Sequence, residues 1–195
     1  RACRQQPADY FVVTVPLKIL QNGALDFSPA LPTHKQEAID EATVWDGFKA
    51  FIEFSDAFYP TFIGFDVSPE TAGQKLYYDA AYGQRSNRHV LGLFTVGIAS
   101  RPYQQRSGTD RLNYMLDGQA SANYIQHITQ DWNAEPHING AYIYDHENWR
   151  RVKTLGESVD DKIYFAGEAY TNGQNWGGVD AAATAAIAAV QELMR

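Results

Sequence analysis

Tyr10 to Val15 is a continuous apolar and β-branched run closed by Pro16, the pattern of a strand buried on both faces in a parallel sheet. Phe48 to Phe54 instead alternates, which puts Phe48, Ala50, Ile52 and Phe54 on one face of a strand. Lys49, Phe51 and Glu53 then point the other way. Lys75–Tyr78 and His89–Val96 read as two more strands. Thr33 predicts a capped helix through Ile39, with Glu37 and Glu41 near its face. Asp110 to Thr129 predicts a second helix with Leu112, Met115, Leu116 and Ile125 as core positions, weakened by Gly118. Near the C-terminus, Ile163-Tyr164-Phe165 is a short buried strand ended by Gly167. Asn172-Gly173 marks a loop, and Gly177-Gly178 allows close backbone approach before a helix starting near Asp180. Ala181 to Met194 has no glycine or proline.

Composition narrows the class. The chain has 195 residues, 45% hydrophobic and 20% charged, enough to bury a core in one domain with room for a smaller appendage. A net charge of −7 argues against nucleic-acid binding by phosphate neutralisation. The single cysteine, Cys3, excludes an internal disulfide framework and a cysteine-rich metal site, and leaves the compartment open. No apolar run is long enough to cross a bilayer. The chain starts Arg-Ala-Cys-Arg, neither a methionine nor a signal peptide, so the expectation is an excerpt of a longer protein.

A strand, a glycine-bearing loop and a helix N-terminus together form a general device for an anionic or electron-rich ligand. The motif Phe165-Ala166-Gly167-Glu168, with the glycine-led helix after it, resembles the C-terminal signature of flavin-containing amine oxidases. That family includes monoamine and polyamine oxidases, L-amino-acid oxidases and histone demethylases of the same fold. The resemblance implies that Glu168 contacts the FAD ribityl chain and that Gly177, Gly178, Val179, Asp180 and Ala182 lie near the flavin pyrimidine edge. Gly167 and Trp176 join this cofactor-binding set. Without the family, the same residues make an ordinary βα unit with a surface glutamate.

The resemblance extends upstream. Lys49 matches a strand lysine that hydrogen-bonds a water beside flavin N5; without it, Lys49 is a solvated strand lysine. Asp131 to Pro136 and Gly140 to Tyr144 match a second block, in which Trp132 lies against the flavin and Tyr142 forms one wall of an aromatic cage for the amine. A buried Trp and Tyr are otherwise core residues. Ala141 stands where covalent members carry the cysteine that attaches FAD, which implies non-covalent FAD. The second cage wall stays open: Val179 occupies its register, with Trp176 nearby. L-amino-acid oxidases have a G-W-aliphatic-D segment there; Gly177-Gly178-Val179-Asp180 keeps the aspartate and loses the tryptophan, so amine and amino-acid substrates both stay open. His137 and His146 have no metal spacing and read as surface or loop residues. Asp160-Asp161 reads as a turn. Glu53, Asp56 and Glu147 could pair as glycosidase carboxylates, but so would any common acids by chance. There is no G-x-S-x-G elbow and no P-loop.

No G-x-G-x-x-G occurs, although the family carries that dinucleotide fingerprint near its N-terminus. The chain therefore resembles the C-terminal half alone. The expected fold is α/β: a substrate domain on a mixed β-sheet with flanking helices, plus pieces of an FAD-binding, Rossmann-like domain at both ends. The division is 1–20 for the exit strand, 21–159 for the substrate domain and 160–195 for the FAD-contacting strand and helix. The resemblance implies hydride transfer from the C–N carbon of an amine or amino acid to flavin, giving an imine, with oxygen as acceptor. The implied partners are that small molecule and the N-terminal FAD-binding half; a homodimer is admitted. Two readings stand beside this: a related FAD enzyme (desaturase, isomerase or amino-acid monooxygenase), or a non-catalytic module that keeps the fold.

Overall fold

The structure, a computed structural model, describes residues 7–65, 73–116, 121–144, 148–173 and 175–195. Gly118, His146 and Glu147 lie outside them. The chain divides into two compact units, Arg1–Val44 with Tyr142–Arg195, and Trp45–Ala141.

In the first unit, β1 (Phe11–Val13) pairs in parallel with β7 (Ile163–Phe165), with Phe11 opposite Ile163 and Val13 opposite Phe165. The parallel pairing matches the sequence. Burial on both faces does not: Val13 is buried, while Phe11 and Val12 are 40% and 47% exposed. With only β7 alongside among the described residues, β1 has one unpaired edge, and of its three side chains Val13 alone is buried. Helices α1 (Leu17–Gln21), α2 (Thr33–Glu41) and α5 (Trp149–Gly156) close over the Val13 side. Their core joins Leu17, Leu20, Ile39, Val152, Leu155, Phe165 and Tyr170. Thr33 begins α2 without capping it; Pro32 is the cap residue, with no side-chain hydrogen bond. The far end is closed by Gln21, whose Nε2 donates to the carbonyls of Ile39 (2.8 Å) and Ala42 (2.7 Å). This satisfies acceptors that a helix end leaves free. Helix α6 (Val179–Leu193) lays Ala189 on Tyr164 and Ala166.

The second unit is a five-stranded sheet in the order β3-β4-β5-β2-β6, built from β2 (Gly47–Phe54), β3 (Phe62–Gly64), β4 (Gly73–Asp79), β5 (His89–Gly97) and β6 (Tyr124–Asp131). Every pairing within it is antiparallel, so among the described residues the parallel pairing belongs to the first unit. The alternation read from β2 holds: Phe48, Ala50, Ile52 and Phe54 are all at or below 2% exposed. They meet Leu91, Leu93, Met115 and Leu116, the last two from α4 (Gly108–Leu116), while Tyr103 of α3 (Arg101–Gln104) stacks on Phe48 at 5.4 Å. Burying each large side chain contributes about 1.5–3 kcal/mol.

The helix expected over 110–129 is corrected. It ends at Leu116, and Tyr124–Asp131 is the edge strand β6. Leu112, Met115 and Leu116 do join the core, but Ile125 is 52% exposed. A ladder from Phe48 opposite Asp131 to Phe54 opposite Tyr124 holds the segment extended. Its β-branched and aromatic side chains suit that pleated surface, and long-range pairing outweighs the local helical spacing.

Candidate functional site

Two groups of residues emerge, one in each unit. In the first, the chain leaves β7 at Ala166, turns through Gly167 and Glu168, and returns so that the Gly177 N–H donates to the Glu168 carbonyl at 3.2 Å. The Glu168 carboxylate accepts from the Ile143 N–H, with Oε2 at 3.4 Å. Burial raises the Glu168 pKa above its ordinary 4.5, opposed by the backbone N–H groups of Ile143 and Gly177. Tyr142, next to Ile143, sits against Gly177: a Cβ built there would lie 3.4 Å from Tyr142 Cδ2. Gly177 has φ +78°, where a side chain is strained. Burial raises the Tyr142 phenol first, with the charges of Glu168 and Tyr144 adding to it. Tyr142, Glu168 and Gly177 thus meet around one backbone crossing.

Helix α6 starts at this crossing. Its cap residue Gly178 offers no side-chain hydrogen bond, and a Cβ at Gly178 would fall 2.4 Å from Asp180 Oδ1. Asp180 is exposed and accepts from Asn175 Nδ2 at 2.8 Å. Val179, at the first helical position, is 89% exposed. Ala182 is half-buried, and Trp176 packs on the core of the first unit. A glycine-led helix start without a side-chain cap, beside a half-buried carboxylate, fits the polar edge of a flavin and a sugar-alcohol chain: N–H donors and the positive helix end for one, an acceptor for the other. Among the described residues no group of His, Cys, Asp and Glu could hold a metal ion.

In the second unit, Lys49 is half-buried on the sheet face opposite the core, paired with Phe94 on β5 and Gln130 on β6. Its Nζ lies 5.4 Å from the Phe94 ring centroid. Trp132 follows β6; its N–H donates to the Gly47 carbonyl at 3.0 Å, and its Cδ1 lies 3.4 Å from where a Gly47 Cβ would be. The Ala141 Cβ would be 2.8 Å from that same Cβ, so Gly47 is the one residue small enough there. The loop is tied down by Asn133, which accepts from the Gly47 N–H (3.0 Å), and by Asp131, which accepts from Gln104 (3.0 Å). His137 is an exposed loop residue, and Asp160 and Asp161 form a turn with φ +53° and +50°. Glu53 is engaged by Gln126 at 2.6 Å and Arg88 at 3.5 Å.

Sequence reading passed over Lys35. It is 1% exposed, and its Nζ donates to the carbonyls of Thr154 (2.9 Å), Leu155 (2.6 Å) and Glu157 (2.7 Å) at the end of α5, 3.7 Å from the Phe165 ring centroid. Burial lowers its pKa to about 7, opposed by the charge of Glu157. The signal was present: Lys35 precedes Ala38 and Ile39 by three and four residues, on the apolar face of α2.

A family model described as flavin containing amine oxidoreductase matches residues 1–194. The chain is 29% identical to probable polyamine oxidase 4 of Arabidopsis thaliana, over 96% of this chain and 39% of that protein. It is 28% identical to lysine-specific histone demethylase 1B of Mus musculus, over 83% of this chain and 21% of that protein. Among solved structures, cyclohexylamine oxidase from Brevibacterium oxydans aligns with a TM-score of 0.67 and 20% identity, over 95% of this chain and 43% of that one. Wild-type putrescine oxidase bound to putrescine aligns with a TM-score of 0.72 and 16% identity, over 94% and 42%. The α/β fold is that of these oxidases. The chain spans roughly two-fifths or less of the length of the curated relatives it matches.

Proposed function

Because the chain belongs to the family of flavin-containing amine oxidoreductases, we propose that it supplies the substrate-binding and flavin-contacting part of an FAD-dependent oxidase that turns the C–N bond of an amine or amino acid into an imine, with oxygen as acceptor. The observation that carries this reading is the crossing where Tyr142, Glu168 and Gly177 meet at the start of α6. When bound, the flavin accepts the hydride and the protein supplies orientation and electrostatics. Glu168 would accept a hydrogen bond from the ribityl chain, and the N–H groups from Gly177 to Ala182 would face the pyrimidine edge. Trp132 would lie against the ring system, Tyr142 would present a ring face to the substrate nitrogen, and Lys49 would donate to a water beside N5. Ala141 has no nucleophile, which supports non-covalent FAD. An N-terminal half of the parent protein would hold the nucleotide end.

The test is a visible spectrum of the purified parent protein, followed by anaerobic addition of a panel of amines and amino acids. Flavin bands near ~450 nm that bleach with one class of substrate are expected, with the flavin released into the supernatant by acid precipitation. A folded protein without flavin overturns the reading. Flavin that no amine or amino acid bleaches moves it to another flavin chemistry.

A further inference from the structure

Resting on that reading, the sheet of the second unit carries it to a substrate class. Register puts Lys49 beside Phe94, and one row further Phe51 beside Gly92, with Tyr78 on the other side of Gly92. These side chains share the face opposite the core. None is fully buried, and Ile128, which extends the row on β6, is 69% exposed. Phe51 and Tyr78 meet edge to face at 6.4 Å and 87°. Tyr78 lies flat across Gly92: a Cβ there would fall 2.5 Å from its Cζ. Burial raises the Tyr78 phenol above its ordinary 10.0.

We propose that Phe51, Tyr78 and Phe94, levelled by Gly92, form an apolar floor that receives the hydrocarbon body of a single-nitrogen amine, and that they set the enzyme's preference for such substrates. The charge pattern selects that occupant. Lys49 contributes a cation at one end. The carboxylate of Glu53, about 13 Å along the strand at the usual rise per residue, is already engaged by Gln126 and Arg88. Glu135, the other carboxylate that a side chain of this face touches among the described residues, already accepts from Gln130 at 3.5 Å, so a polyamine lying along the floor would bring further ammonium groups over Lys49, hydrocarbon and carboxylates that already have partners. An alkyl, cycloalkyl or aryl body loses nothing by lying there and is removed from water.

The experiment uses the flavin-loaded parent enzyme and compares kcat/KM for ethylamine, butylamine, hexylamine, benzylamine and spermidine. In the wild type, kcat/KM is expected to rise about tenfold or more from ethylamine to hexylamine, as each buried methylene adds binding. Phe51→Ala and Gly92→Ala, the second by lifting Tyr78 off the sheet, flatten that rise through KM, with hexylamine losing about fivefold or more relative to ethylamine. Phe51→Leu flattens it partially and serves if the alanine variant does not fold. A rise unchanged in Phe51→Leu and Gly92→Ala, an equal loss for every amine, or a preference for spermidine overturns the floor while leaving the oxidase reading intact. A wild type whose flavin is bleached by amino acids but by none of these amines overturns the floor alone; flavin that neither amines nor amino acids bleach overturns the oxidase reading, and the floor with it.

Discussion

Lys35 and Lys49 sit among aromatic rings in the two units, and everything around them differs. Lys35 is sealed: its Nζ donates to three carbonyls at the end of α5 and rests 3.7 Å from the Phe165 ring centroid. Lys49 is half-buried on an open sheet face, with the Phe94 ring at 5.4 Å and no carbonyl or carboxylate holding it among the described residues. Three acceptors match the three donors of an ammonium group, so Lys35 has nothing left to offer a ligand. Lys49 has its donors available. The residue that works as structure is the one whose valences are filled, and both look alike in a list of charged residues.

The largest effect expected from breaking this contrast is on stability. Lys35→Met, measured by urea unfolding at pH 6, where the wild-type amine is charged, removes one cation and leaves the Leu155 and Glu157 carbonyls facing an apolar chain, while the Thr154 carbonyl keeps the Glu157 N–H at 3.3 Å. Unpaired buried acceptors of that kind predict a loss of about 3 kcal/mol or more. A loss under about 1 kcal/mol would mean the carbonyls find water, and Lys35 would not be the clasp between α2 and α5.

How far the sequence could reveal this depends on the range of the forces. The strand Ile163–Phe165 was legible to the residue, because an apolar triplet before a glycine is local information. The two faces of β2 were legible for the same reason. The strand β6 was not: Leu112, Met115 and Leu116 set a helical rhythm, and only the ladder to β2, more than 70 residues away at Glu53 and Gln126, selects the extended form. The site followed the same division. Tyr142, Glu168 and Gly177 could be named from motif order, but their meeting through the Ile143 and Gly177 N–H groups spans 25 residues and needed the fold. Lys35 was hidden because its partners lie about 120 residues away.

A smaller effect tests the first unit's site through pH. The Glu168 carboxyl holds its proton above the ordinary 4.5 in the folded chain because of burial. Just above 4.5 the unfolded chain has released a proton that the folded one keeps, so stability falls as pH rises through that window. Glu168→Gln has no proton to release. The variant is therefore expected to gain on the wild type as pH climbs from about 4.5, read by urea unfolding at half-unit steps. A wild type that gains on the variant over that range would show the carboxylate to be better held when charged, with the N–H groups of Ile143 and Gly177 outweighing burial.

A smaller change again is expected at the cap of α5. The Asn148 side chain accepts from the Arg151 N–H at 3.2 Å, and Asn148→Ala should cost about 1 kcal/mol in unfolding free energy. This lies at the opposite end of the helix that Lys35 closes, so a loss as large as that of Lys35→Met would make α5 fragile at both ends and remove what is special about the lysine.

The smallest stability effect belongs to Lys49, and it sharpens the comparison most. Lys49→Met keeps the length of the side chain and its contact with Phe94, takes a donor from no acceptor among the described residues, and replaces a half-buried charge on a face that already carries Phe51 and Ile128. Urea unfolding should move by no more than about 0.5 kcal/mol in either direction, the range of substitutions that break no packed or paired group. In the parent enzyme the same substitution should slow flavin turnover about tenfold or more, the scale of a positioned proton-handling group, read by stopped-flow bleaching and reoxidation at ~450 nm. Stability retained with turnover lost would separate the two lysines completely: one fills the valences of the fold, the other keeps its own for the reaction. A Lys49→Met chain that unfolds as readily as Lys35→Met would instead place Lys49 in the scaffold of its sheet, and the open valence would not be a functional sign.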